Sequence, residues 1–139
     1  MSKFTNEMSI RQYYETLNAC YLNNLDTCVS ENFVDHEQLS GIPSTRAGLK
    51  QKYTLLRTGF PDLQFVVEDM MCVEEQVAVR VTVRGTHIAE FMGRPPTGQS
   101  FTVTSIGIFR FADGLIIEHW GVFDQMGMLA QLGAFPASR

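Results

Sequence analysis

Apolar positions recur at helical spacing through the first part of the chain and at alternate positions through the rest. Ile10, Tyr13, Tyr14, Leu17, Cys20, Tyr21 and Leu25 lie three or four residues apart, which predicts an amphipathic helix over 9–24. Ser9 is its expected cap, with Gln12 completing a capping box. Leu25, Val29 and Phe33 predict a short second helix over 25–33, with Asp26 as its N-cap. The stretch Val34-Asp35-His36-Glu37 leads into a loop with Gly41 and Pro43. Ser44 then opens a third helix over 45–57 whose buried stripe is Leu49, Tyr53 and Leu56, and Gly59 and Pro61 stop it.

Beyond Pro61 the period shortens to two. Residues 64–73 form the first strand-like run, Glu74-Glu75 make a turn, and 76–89 form the second. In the second run Val77, Val79, Val81 and Val83 share one face, and Ala78, Arg80, Thr82 and Arg84 share the other. A loop over 93–98 follows, turned by tandem prolines and glycine. Residues 101–111 and 115–123 are two further strands joined by a tight Asp113-Gly114 hairpin turn. Residues 125–132 add a short terminal helix before Gly133. Helices segregated from a strand meander make an α+β domain. Three N-terminal helices would pack into a strongly curved antiparallel sheet of four or more strands, giving a cone-shaped barrel with an interior pocket. Residues 1–139 read as one domain.

Composition narrows the function classes. The chain has 139 residues, 45% hydrophobic and 19% charged, which suits a folded domain with a substantial core. A formal net charge of -4 and no Lys/Arg cluster argue against nucleic-acid binding. No signal peptide is visible and no apolar run reaches the ~18 residues of a membrane span, so a cytoplasmic protein is expected. Cys20, Cys28 and Cys72 are odd in number and lack metal-ligand or disulfide spacing; they read as small core hydrophobes.

Ionisable groups inside apolar segments are the candidate chemistry, because burying them is costly unless they are paired or used. Alternation puts Glu118, Trp120, Val122 and Asp124 on one face of the last strand and Ile117, His119, Gly121 and Phe123 on the other. Asp124 reads either as a pocket carboxylate or as the cap of the helix that follows. His36 reads either as a catalytic partner of Asp35 or as a loop histidine. His87 and His119 each read as pocket-lining or as buried and satisfied, and Arg80 as a sheet-surface charge or an anion clamp. No nucleophile elbow, phosphate-binding loop or dinucleotide fingerprint occurs, and three scattered histidines lack metal-ligand spacing. Carboxylate and imidazole acid–base chemistry in a dry aromatic pocket remains.

Several short blocks, in order, carry a resemblance. They are Phe33-Val34-Asp35-His36, Phe60-Pro61-Asp62-Leu63, Arg80 with Gly85-Thr86-His87, Phe91 through Gly98, Phe109 through Gly114, Glu118-His119-Trp120 through Asp124, and Gln131-Leu132-Gly133. Together they resemble the SnoaL-like polyketide cyclases (ester cyclases). That resemblance implies the α+β cone of the nuclear transport factor 2-like superfamily and a homodimer formed through the sheets. It further implies intramolecular aldol ring closure of a small hydrophobic molecule, without metal or organic cofactor. The family's acid/base is an aspartate near the end of the final strand, and Asp124 matches that position. His119, His87 or His36 would then assist at the oxyanion, and Trp120, Tyr14, Phe91 and Arg80 are the implied pocket residues. The rival expectations are a non-catalytic binding or dimerisation module and another proton-transfer reaction in the same pocket.

Overall fold

The computed structural model describes residues 3–37 and 39–133. Helix α1 (Lys3–Ala19) is followed by a 3-10 turn (Leu22–Thr27), strand β1 (Val29–Asp35), helix α2 (Arg46–Gly59), strands β2 (Gln64–Val73), β3 (Gln76–Thr86), β4 (Ser100–Ala112) and β5 (Leu115–Phe123), and helix α3 (Gln125–Gln131). The strands form one sheet in the order β1-β5-β4-β3-β2. The α+β expectation is met with five strands. The sheet is open, with β1 and β2 at its edges, and so does not close into a barrel.

The N-terminal segments depart most from the periodicity reading. Ile10, Tyr13, Tyr14 and Leu17 are buried as expected, but α1 starts well before Ser9, which is therefore no cap. The helix ends at Ala19 because Cys20 takes φ +63, so Cys20 and Tyr21 leave the stripe and are exposed. The Tyr21 amide donates back to the Thr16 carbonyl at 3.3 Å, closing the last turn.

The expected second helix is a 3-10 turn and an edge strand. Leu25, Val29 and Phe33 are buried in either conformation, because a spacing of four suits both a helix and every second strand position. What decides is a partner: β1 pairs in parallel with β5, which satisfies one side of its backbone. Asp26 is correspondingly no cap; it takes Lys50 at 2.7 Å and Arg46 at 3.2 Å. Helix α2 is capped by Thr45 rather than Ser44, its hydroxyl accepting from the Gly48 amide at 3.1 Å.

The four valines of β3 all face the core, each worth about 1.5–3 kcal/mol of burial. Within the antiparallel part of the sheet two bulges bend it, at Val67/Asp69 in the β2–β3 pair and at Arg110/Phe111 in the β4–β5 pair. The second gives β5 an extra residue at Ile117, so Ile116 and His119 both turn inward although they stand three apart. Helix α1 is clasped to β2 by Asn18, which exchanges two 2.8 Å hydrogen bonds with the Phe65 backbone. Arg57 ties α2 to the carbonyls of Leu63 and Leu17 at 2.7 and 2.6 Å. Among the described residues no helix is long and apolar enough to cross a membrane.

Candidate active site

The parallel β1–β5 register sets Asp35 beside His119 and lets the His36 amide donate to the His119 carbonyl at 2.8 Å. Two sequence-distant motifs, Val34-Asp35-His36-Glu37 and Glu118-His119-Trp120-Gly121, thereby become one polar patch. The Asp35 carboxylate is buried and accepts from three donors: His119 Nδ1 at 3.0 Å, Lys52 Nζ at 2.7 Å and the Glu37 amide at 3.0 Å. Burial alone would raise its pKa. The His119 hydrogen bond and the Lys52 charge outweigh burial and hold it below the ordinary 3.8. Asp35 is thus a fixed anion, and its contact keeps the His119 proton on Nδ1 and leaves Nε2 free. Burial would lower the Lys52 pKa; the fields of Tyr53, Asp35 and Glu37 more than reverse this, so the ammonium stays charged.

Two glycines shape the other edge of the imidazole. Gly107 on β4 and Gly121 on β5 stand directly opposite each other in the register. A Cβ at either would come within 2.9 Å of His119 Nε2. At Gly121 it would also fall 2.6 Å from Glu37 Oε1. The bare Cα atoms therefore make the slot in which the ring and the Glu37 carboxylate sit. Glu37 Oε1 lies 3.9 Å from His119 Nε2, a separation at which charge acts but no hydrogen bond forms.

Glu37 also faces a cavity of about 410 Å³. Its walls are mainly apolar, with Leu56, Leu63, Phe65, Val83, Phe101 and Phe123 among them, and His36, Glu37, Lys52 and Tyr53 supply polar groups. This is the size and character of a small-molecule site. Burial pushes the Glu37 pKa above its ordinary 4.5; it outweighs the opposing effects of His119 and Lys52, and the Asp35 charge adds a smaller push in the same direction as burial.

The structure distributes the expected site residues unevenly. Phe91 lines the cavity. His119 stands directly behind Glu37, buried. His36 lines the cavity at its rim but does not pair with Asp35, since strand alternation sends the two side chains opposite ways. His36 instead stacks on Trp120 at 4.9 Å and meets Glu118 at 2.9 Å. Trp120 is 37% exposed on the outer face of the sheet. Tyr14 is buried in the core against Tyr13, Phe65 and Phe109 rather than on the cavity wall. Arg80 is a sheet-surface charge paired with Asp69 at 2.9 Å. His87 is buried against Phe60, and its Nδ1 accepts from the Thr97 amide at 3.3 Å; it pins the loop that carries Phe91 but does not itself line the cavity.

Of its two readings, Asp124 takes that of the helix cap. It is exposed, and its Oδ1 accepts from the Gly127 amide at 2.8 Å, so it caps α3. It does not line the cavity. The groups missed by sequence reasoning are Glu37 and Lys52. Lys52 alone carried a signal, as the cation beside Tyr53 on the apolar side of α2; Glu37 sits in what reads as a polar loop.

A family model described as SnoaL-like polyketide cyclase matches residues 7–132. Aklanonic acid methyl ester cyclase AcmA of Streptomyces galilaeus is 37% identical over 57 residues, 41% of this chain and 40% of that protein. The chain thus matches less than half the length of this curated relative. Wild-type IdmH of Streptomyces antibioticus, a candidate polyketide cyclase, superposes with a TM-score of 0.81 at 35% identity, covering 92% of this chain and 98% of its own. AclR of Streptomyces galilaeus, a candidate hydroxylase, superposes with a TM-score of 0.85 at 30% identity, covering 99% and 87% respectively.

Proposed function

The chain belongs to the SnoaL-like polyketide cyclase family, and from that premise we propose that it closes a ring in a small hydrophobic polyketide ester by intramolecular aldol reaction. The observation that carries this reading is a cluster of ionisable groups against the wall of a mainly apolar cavity. There, Asp35, His119, Lys52 and Glu37 form one connected cluster. A substrate with a C–H between an ester and a ketone needs a base beside that carbon and positive charge near the developing enolate. The cluster offers a carboxylate of raised pKa and an ammonium whose pKa is also raised, so that it is charged at neutral pH. The apolar walls hold the two ends of one molecule together, which replaces a bimolecular encounter with a unimolecular one.

The net change is an isomerisation, so the substrate's own atoms balance the reaction and no oxidant, reductant or organic cofactor is consumed. Among the described residues no group of three His, Cys, Asp or Glu side chains is placed to hold a metal ion, and turnover is expected to survive exhaustive chelation. Aklanonic acid methyl ester is the first substrate to test, because the curated relative AcmA is a cyclase of that ester. The expected result is a product of unchanged mass with one ring more, followed by chromatography and NMR. Tight binding without conversion of this ester or simpler keto esters would replace the reading with that of a binding module.

A further inference from the structure

We propose that Glu37, rather than Asp124, is the catalytic base of this cavity, and that the bare Cα of Gly121 admits its carboxylate to the wall beside His119. The proposal rests on the ring-closing reading above and names the group that starts it.

Three independent features single out Glu37. It is the one carboxylate that lines the cavity among the described residues, since Asp35 lies behind His119 and Asp124 caps α3 outside. Its backbone is held on both sides: its amide donates to Asp35 Oδ1 at 3.0 Å and its carbonyl accepts from Lys52 Nζ at 3.1 Å. Its carboxylate, by contrast, accepts no hydrogen bond from the described residues, and the nearest basic group among them is His119 Nε2 at 3.9 Å. A pinned backbone bearing an unengaged, half-buried carboxylate suits a group that must meet a ligand, because a structural carboxylate in that setting would be paired. Finally, the clash of a Cβ at position 121 with Glu37 Oε1, at 2.6 Å, shows that any side chain there would claim the carboxylate's volume. Burial raises the basicity of the group toward the neutral range in which a general base works well.

The Glu37 carboxylate takes the proton of the carbon between ester and ketone, and the C–H electron pair delocalises onto their oxygens as an enolate. The enolate carbon bonds to the second carbonyl carbon, whose π pair moves to its oxygen. The Glu37 acid then returns its proton to that alkoxide. Asp35 and His119 act as positioning residues: Asp35 accepts from the Glu37 amide and from His119 Nδ1, and the His119 ring backs the Glu37 carboxylate at 3.9 Å.

Glu37→Gln keeps the shape and removes the base. Its kcat is expected to fall about 10²–10⁴-fold with little change in KM, the usual share of a positioned base. The wild-type rise of kcat with pH through the Glu37 titration should vanish in this variant. Glu37→Gly should regain rate with added acetate or formate, which can enter the vacated volume beside His119. A Glu37→Gln protein that converts the ester within threefold of wild type, or keeps the pH limb, overturns the assignment while leaving the cyclase reading standing. A wild-type protein that converts no keto ester overturns both.

Discussion

Asp35 and Glu37 are two residues apart, yet their environments drive their acidities in opposite directions. Asp35 has three donors that outweigh burial; Glu37 has burial with no donor. Their effects on stability therefore have opposite signs. Asp35, with its pKa lowered from 3.8, contributes stability above that value and loses it as pH falls through the folded-state value. Glu37, with its pKa raised from 4.5, contributes below that value and withdraws the contribution as pH rises through its folded-state value. At pH 7, Glu37→Gln is accordingly expected to leave stability unchanged or raised while activity collapses, as read by thermal unfolding and turnover of the same sample. Asp35→Asn is expected to cost about 3–5 kcal/mol at pH 7 in urea unfolding, because it leaves the Lys52 ammonium buried without its counter-ion. The cost should shrink as pH falls below 3.8.

At the scale of elements, the Asp124 side chain belongs to the start of α3. Asp124→Asn retains an N-cap oxygen and is expected to keep both stability and ring closure, whereas Asp124→Ala should cost about 1 kcal/mol in unfolding with turnover retained in the folded protein. A loss of turnover in Asp124→Asn would return the base to the end of β5. The same distinction explains what periodicity could read. Strands β2 and β5 begin and end where alternation and turn residues place them, because Glu74-Glu75 and Asp113-Gly114 sit in left-handed or turn backbone that breaks the ladder locally. The end of α1 and the nature of β1 were not legible. Cys20 carries no glycine-like signal for its φ of +63, and the apolar spacing of Leu25, Val29 and Phe33 fits both periods until a neighbouring strand supplies hydrogen bonds.

For the whole molecule, the outer face of β4 and β5 presents Ile106, Ile108, Trp120 and Val122, which are 53%, 40%, 37% and 75% exposed. A contiguous apolar stripe on a sheet face is the signature of an interaction surface. We propose that it pairs with a second copy of the chain. Val122→Lys, which lies on the outer face, is expected to shift sedimentation from dimer to monomer at micromolar concentration with the fold retained by circular dichroism. A wild-type monomer under the same conditions would contradict the pairing.

By itself the sequence determined the α+β class, the strand meander, the inward valines of β3, the ordered blocks that mark the family, and acid–base chemistry as the available kind. These are properties of local period, turn chemistry and motif order, and none needs a partner distant along the chain. Only the tertiary structure decided which ionisable groups meet. Asp35 and His119 stand 84 residues apart and touch because β1 docks in parallel beside β5. Glu37 reaches the cavity because Gly121 leaves it space, and His36 is turned toward Trp120 rather than toward its own neighbour Asp35. Such contacts are set by register and by where a side chain is missing, and neither has a trace in one-dimensional spacing.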